Sequence, residues 1–131
     1  MWFRKEQGQA MVEFALVLPI LILLICGIID FGWIFGNQLL ANNASREAAR
    51  SCAINADLSQ SDLETLAEEV VTNRAATLCD LCPVSVAVAD ETSADGISVT
   101  VTCDLPILTP LTSTVLGATY PIEATSIMRK E

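Results

Sequence analysis

Residues 8–35 read Gly8-Gln-Ala-Met-Val-Glu13-Phe14-Ala-Leu-Val-Leu-Pro19-Ile-Leu-Ile-Leu-Leu-Ile-Cys26-Gly27-Ile-Ile-Asp30-Phe-Gly32-Trp33-Ile-Phe35. From Phe14 to Ile29 there is no charge and almost no polarity. As a helix rising about 1.5 Å per residue, a run of this length crosses a hydrocarbon layer roughly 30 Å thick. A helix satisfies its own backbone groups, so lipid is a permissible solvent for it. The run therefore predicts a membrane helix over residues 9–36. Pro19 removes one backbone hydrogen bond inside it and is expected to loosen the helix there. Asp30 is expected at the far membrane boundary with Trp33 as an interfacial anchor, the alternative for Asp30 being a buried ionic contact between stacked subunits. Gly32 and Gly36 stand four apart, a spacing that lets a second helix approach closely.

Upstream stands a short charged leader, Met-Trp-Phe-Arg4-Lys5-Glu6-Gln7. Glu13 then places an acid near one end of a lipid-compatible helix, a position that costs a few kcal/mol at depth and little at the headgroup level. Gly8, four residues, Glu13, an aromatic residue and then a hydrophobic helix together resemble the processing site of type IV prepilins. Over the longer block from Gly8 through Pro19 to Gly32, the chain resembles the TadE-like family of the tight-adherence (Tad) pilus system. Asn42-Asn-Ala-Ser-Arg46-Glu47-Ala-Ala-Arg50 and the terminal Ala124-Thr-Ser-Ile-Met-Arg129-Lys-Glu carry the same resemblance.

The resemblance implies cleavage between Gly8 and Gln9 by a membrane prepilin peptidase. Glycine, with no side chain, leaves an extended peptide unobstructed in a protease cleft. The new amino terminus on Gln9 would be positively charged. The family implies that Glu13 pairs with such an amine on a neighbouring subunit, which offsets the penalty on a half-buried carboxylate. Phe14 stands where major Flp pilins carry tyrosine, and this leans toward a minor pilin. A conventional signal peptide fits less well, because the apolar run is too long and no clean small-x-small site follows it.

Of seven basic residues, Arg4 and Lys5 precede the helix, while fourteen of sixteen acids lie at Asp30 or beyond. The basic residues put the N-terminus in the cytoplasm and the bulk of the chain outside. The formal net charge of −9 argues against a nucleic-acid partner. The expected organisation is a leader over 1–8, a transmembrane helix over 9–36 and an exported α+β domain over 37–131.

Within that domain the first helix is expected to run on to about Ala53, with Leu40, Ala44, Ala48 and Cys52 forming an apolar stripe. Arg46, Glu47 and Arg50 fall on a solvated face. Ser61-x-x-Glu64 reads as a capping box that opens a second helix carrying Leu63, Leu66, Ala67, Val70 and Leu78. Its Glu68-Glu69 pair reads as surface rather than a catalytic dyad. Val84, Val86 and Val88, then Ile97, Val99, Val101 and Cys103, alternate as strands do, with Asp90–Gly96 as a hairpin loop. Tyr120–Met128 reads as a third strand, at an edge or near a strand start because of Pro121. The fold class is thus α-α-β-β-β with a small antiparallel sheet. Leu105–Gly117 is apolar and broken by two prolines. It could cover the core, lie on the membrane or dock on a partner, and the sequence does not choose.

Cys26 lies in the membrane helix and reads as a small apolar residue. Cys52, Cys79, Cys82 and Cys103 fall in the exported part, where disulfides persist. If the hairpin is centred in its loop, Cys82 falls opposite Cys103, which leaves Cys52 with Cys79 as one of three possible pairings. Cys79-x-x-Cys82 lacks the preceding strand of a redox βαβ unit, and for zinc the cysteine spacing pairs only once, with no histidine to complete a site.

No histidine, no glycine-rich phosphate loop and only scattered acids leave no catalytic or metal residue to name, and no cofactor is expected. The resemblance implies a minor pilin or pseudopilin in the inner membrane. Its partners would be the prepilin peptidase, the major Flp pilin, other minor pilins and the inner-membrane assembly platform. The contrasting reading is a single-pass anchored binding module that never enters a filament.

Overall fold

A computed structural model describes residues 3–91 and 95–130, the side chains of residues 3–7 and 91 excepted. One helix dominates: α1, Phe3–Ile54, is 52 residues long, about 78 Å at the standard rise. It runs without a break through Pro19. The backbone is helical from Phe3, so residues 3–8 of the expected leader continue α1; residues 1 and 2 lie outside the described residues.

After α1 come α2 (Gln60–Arg74), α3 (Ala76–Leu81), β1 (Val84–Glu91), β2 (Gly96–Pro106), α4 (Pro110–Leu116) and β3 (Thr119–Arg129). The three strands form one antiparallel sheet in the order β1-β2-β3. This is an α+β arrangement with two short helices, α3 and α4, that the sequence pattern did not reveal. The expected hairpin loop falls between Glu91 and Gly96, and its residues 92–94 lie outside the described residues, as does Glu131 of the terminal motif.

Period-2 patterning explains the sheet. Ile97, Val99, Val101, Cys103 and Leu105 of β2 are buried, as are Ile122 and Ala124 of β3. The opposite face is polar, and Thr100 and Thr125 share a hydroxyl–hydroxyl bond of 3.0 Å across it. Such cross-strand pairs are the unit of sheet stabilisation. At the start of β2, a Cβ on Gly96 would sit 3.0 Å from the Met128 carbonyl oxygen, so glycine lets β3 close against it.

The inner face of the sheet rests on the second half of α1. Ala41, Ala44, Ser45, Ala48, Ala49 and Cys52 are fully buried there, small residues that bring the helix close to the strands. The contact is pinned by polar bonds: Ser45 Oγ lies 2.8 Å from Ser126 Oγ, and Gln38 Nε2 donates to the Glu123 carbonyl at 2.7 Å. α2 covers the other flank of α1 with Leu63, Ala67 and Val71. Its cap is Ser59, whose hydroxyl accepts from the Asp62 amide, rather than Ser61. Ser61 is inside the helix, so the expected capping box starts two residues late. α2 also stops at Arg74, and Leu78, expected on it, is the buried residue of α3.

Candidate functional site

Two features of α1 concern function: the apolar run with Glu13, and the point where the helix meets the domain. From Gly8 to Ile29 no residue is buried against the rest of the chain. α1 is long and apolar enough to cross a membrane, and among the described helices it alone is. Its side chains present apolar surface all round, with Met11, Leu16, Ile20 and Ile28 each more than 60% exposed. In water such a surface has no counterpart; in lipid it needs none.

Gly8 and Gln9 lie in helical backbone, and no described atom approaches a Cβ placed on Gly8. Glycine inside a helix is about 1 kcal/mol less favourable than alanine. Gly8 thus lowers helix propensity near the N-terminal end of α1, as Gly27, Gly32 and Gly36 do farther along. Gln9 Nε2 and Glu13 Oε1 are 3.4 Å apart, one helical turn from each other. Phe14 follows on the exposed surface. Gly32 and Gly36 have nothing of this chain within 4 Å of a placed Cβ. Both face away from the domain, beside the stacked rings of Phe31 and Phe35, whose centroids are 6.1 Å apart.

Asp30 is the first residue of α1 to be buried, at 2% exposure. Its carboxylate accepts from the backbone amides of Leu108 and Thr109, at 3.2 and 3.1 Å, and from the hydroxyls of Thr109 and Thr112. One acid on α1 thus satisfies the amides of Leu108 and Thr109, just ahead of α4, together with two hydroxyls at its start. Within the chain these partners are all neutral donors, so the carboxylate is satisfied without an ionic partner. Trp33, expected at the same boundary, lies one helical turn beyond Asp30. It packs half-buried against the domain core, and its indole nitrogen is buried with no hydrogen-bond partner.

The cysteines divide unevenly. Cys82 and Cys103 form a disulfide with a Cα–Cα distance of 6.1 Å. The register pairs Cys103 with Val84, so the bond joins diagonal neighbours and not directly opposed ones. Cys52 and Cys79, expected to pair, are free thiols, as is Cys26. Helix α2 explains this. Cys52 contacts the Leu63 carbonyl near the start of α2, whereas Arg74 at its end reaches Glu47. The eleven residues between Leu63 and Arg74 carry the chain about 16 Å along the helix before Cys79 is reached. Burial pushes the Cys52 thiol above its usual range.

Glu68 and Glu69 are exposed, as read from the sequence. Arg46 and Arg50 are exposed too, and Arg74 bonds Glu47 at 3.3 Å in an open, solvated setting.

No curated protein and no solved structure matches the chain. The part that holds Gly8, Glu13, the apolar run, Asp30 and the small-residue stripe of α1 does have a counterpart. Over residues 8–50, about a third of its length, the chain matches the family described as TadE-like protein, the family its motifs resemble.

Proposed function

We propose that this chain is a minor pilin or pseudopilin of a Tad pilus, a structural subunit rather than an enzyme. The observation that carries the reading is the coincidence of the family match with an apolar helix that nothing in its own chain covers. In this reading α1 crosses the inner membrane over residues 9–36 with its N-terminus in the cytoplasm. The α+β domain is exported. A prepilin peptidase removes residues 1–8. Glu13 then accepts the free amine of Gln9 from a neighbouring subunit, with Phe14 packing beside it. The open face at Gly32 and Gly36 admits a second pilin helix at short distance. Partners are the major Flp pilin, other minor pilins and the membrane platform that assembles them.

The mechanism is mechanical. Burying the apolar run against other pilin helices is neutral relative to lipid, so specificity falls on the polar pair. An unpaired Glu13 in the helix bundle is penalised, and a neighbour's ammonium relieves that penalty only in the correct axial register.

Mass spectrometry of the N-terminal peptide of the membrane-extracted protein tests this. A start at Gln9, lost in Gly8→Leu, is expected. A start at Met1 in cells with an active prepilin peptidase would favour a plain anchored module. Glu13→Leu is expected to be processed normally yet excluded from pili.

A further inference from the structure

Between Asp104 and Glu123 the chain carries no charge, an interval of eighteen residues in a protein of net charge −9. This interval leaves β2, forms α4 and returns as β3. No residue of α4 is buried. Leu108, Leu111, Val115 and Leu116 are 57%, 44%, 76% and 62% exposed. A helix of seven residues is not stable by itself in water, and this one buries no side chain completely to compensate. It is nonetheless held by its amino end to Asp30, through two amides and two hydroxyls.

Asp30 sets the depth of α4. It follows directly on the uncovered run 9–29, whose twenty-one residues measure about 31 Å as a helix, the thickness of a hydrocarbon layer. The surface of α4 is therefore continuous with the far end of the lipid-compatible surface of α1. The hydroxyls of α4 that do not face Asp30 are already satisfied. Ser113 and Thr114 both donate to the Pro110 carbonyl, at 2.9 Å each, so removing them from water forfeits little. Tyr120, just beyond, is 43% exposed and has the ring-plus-hydroxyl character of interfacial residues.

We propose that α4 is a second membrane contact: it inserts Leu108, Leu111, Val115 and Leu116 into the outer interface of the bilayer that α1 crosses. This rests on the membrane-anchored reading given above. Lipid is the occupant that continuity with α1 and an uncharged, self-satisfied surface specify. The Asp30 carboxylate makes helix and foot one rigid piece, which fixes the tilt of the exported domain on the membrane.

The test uses the full chain in phosphatidylcholine vesicles, with Trp2→Phe and Trp33→Phe as background and one new tryptophan per protein. Val115→Trp and, in parallel, Leu116→Trp report on α4; Leu23→Trp reports on mid-helix. Lipids brominated near the headgroup or near the chain ends quench tryptophan according to depth. Formation of the Cys82–Cys103 bond verifies folding of each variant. The expected result is a blue-shifted α4 tryptophan that loses most of its emission to shallow-brominated lipid and less to deep-brominated lipid, with the reverse for Leu23→Trp. If Leu23→Trp is quenched and both α4 reporters are not, the foot is refuted while the anchor stands. A blue shift at α4 that grows with protein density and ignores bromine also refutes it, in favour of a protein partner. If no reporter is quenched, the anchored reading falls and the foot with it.

Discussion

The two halves of α1 share one backbone conformation and almost nothing else. From residue 8 to 29 the side chains are mostly large and apolar on every side, Gln9 and Glu13 being the polar exceptions, and none is buried by the described residues. From Asp30 to Ala53 burial recurs every three to four residues, and the buried positions are alanine, serine, cysteine, asparagine and one aspartate. Large uniform side chains suit a featureless solvent, whereas small ones suit a sheet that must approach closely. Hydrophobicity thus marks the half whose surface suits lipid, and smallness marks the half that packs on protein. Asp30 stands at the join.

Substitutions matched across that join separate the two kinds of environment. The largest contrast is between cysteines. Cys82→Ser opens the Cys82–Cys103 bond and is expected to destabilise the domain by about 2–5 kcal/mol in urea unfolding, the usual range for a small secreted domain. Cys26→Ser, in the apolar half, should leave that unfolding curve unchanged. If both variants shifted it alike, the apolar run would be part of the domain's core and the division would be wrong.

Next come the alanines. Ala48 is fully buried between the helix and its neighbours, so Ala48→Leu forces them apart at a cost of about 1–3 kcal/mol. Ala15 lies exposed in the uncovered half, and Ala15→Leu should be silent in the same measurement. A silent Ala48→Leu would mean that the close approach of α1 to the sheet is looser than the structure shows.

At the join itself, Asp30→Asn keeps the shape of the side chain but can no longer accept from all four donors. The expected effect is local because α4 has no buried residue to carry a loss into the core. Amide exchange at Ser113 and Gly117, whose N–H groups bond within α4, should accelerate by roughly an order of magnitude, with the strands unaffected. Uniform acceleration across the sheet would instead make Asp30 a core residue of the whole domain.

How far these contrasts were readable without coordinates depends on the distance over which each is encoded. The apolar run, the alternation of Ile97 to Leu105 and the long helix ending near Ala53 are periodic signals within one element, and they are legible. The cap at Ser59 is misread because Ser61-x-x-Glu64 offers the same local pattern two residues later, and only the backbone tells them apart. α4 is hidden by Pro106 and Pro110, although proline opens a helix as readily as it ends one. The partners of Asp30 lie 78 to 82 residues away. Nothing local could expose them, so the bonds that Asp30 makes to Leu108, Thr109 and Thr112 are invisible in the sequence. Cys52 and Cys79 fail to pair for the same reason, since where α2 and α3 carry Cys79 relative to α1 is set by tertiary packing. For Gly8, Glu13 and Phe14 the functional reading comes from the motif, and the structure adds the helical backbone and the absence of any covering chain.

The smallest expected effect tests whether charge contributes to the domain half at all. Glu47 and Arg74 join α1 to α2 at 3.3 Å, with 40% and 63% of their side chains exposed. Two long side chains must be ordered to form the pair, and water screens it. Glu47→Gln should therefore change the unfolding free energy by less than about 1 kcal/mol, and 1 M salt should abolish the difference because the screening length falls to about 3 Å. An effect that survived salt would mean the pair is desolvated in the assembled protein. Since Glu47, Arg46 and Arg50 lie within the matched segment, that outcome would move them from a solvated face to a contact between subunits. A salt-labile effect leaves the docking of α2 to Leu63, Ala67 and Val71, whose burial is indifferent to ions.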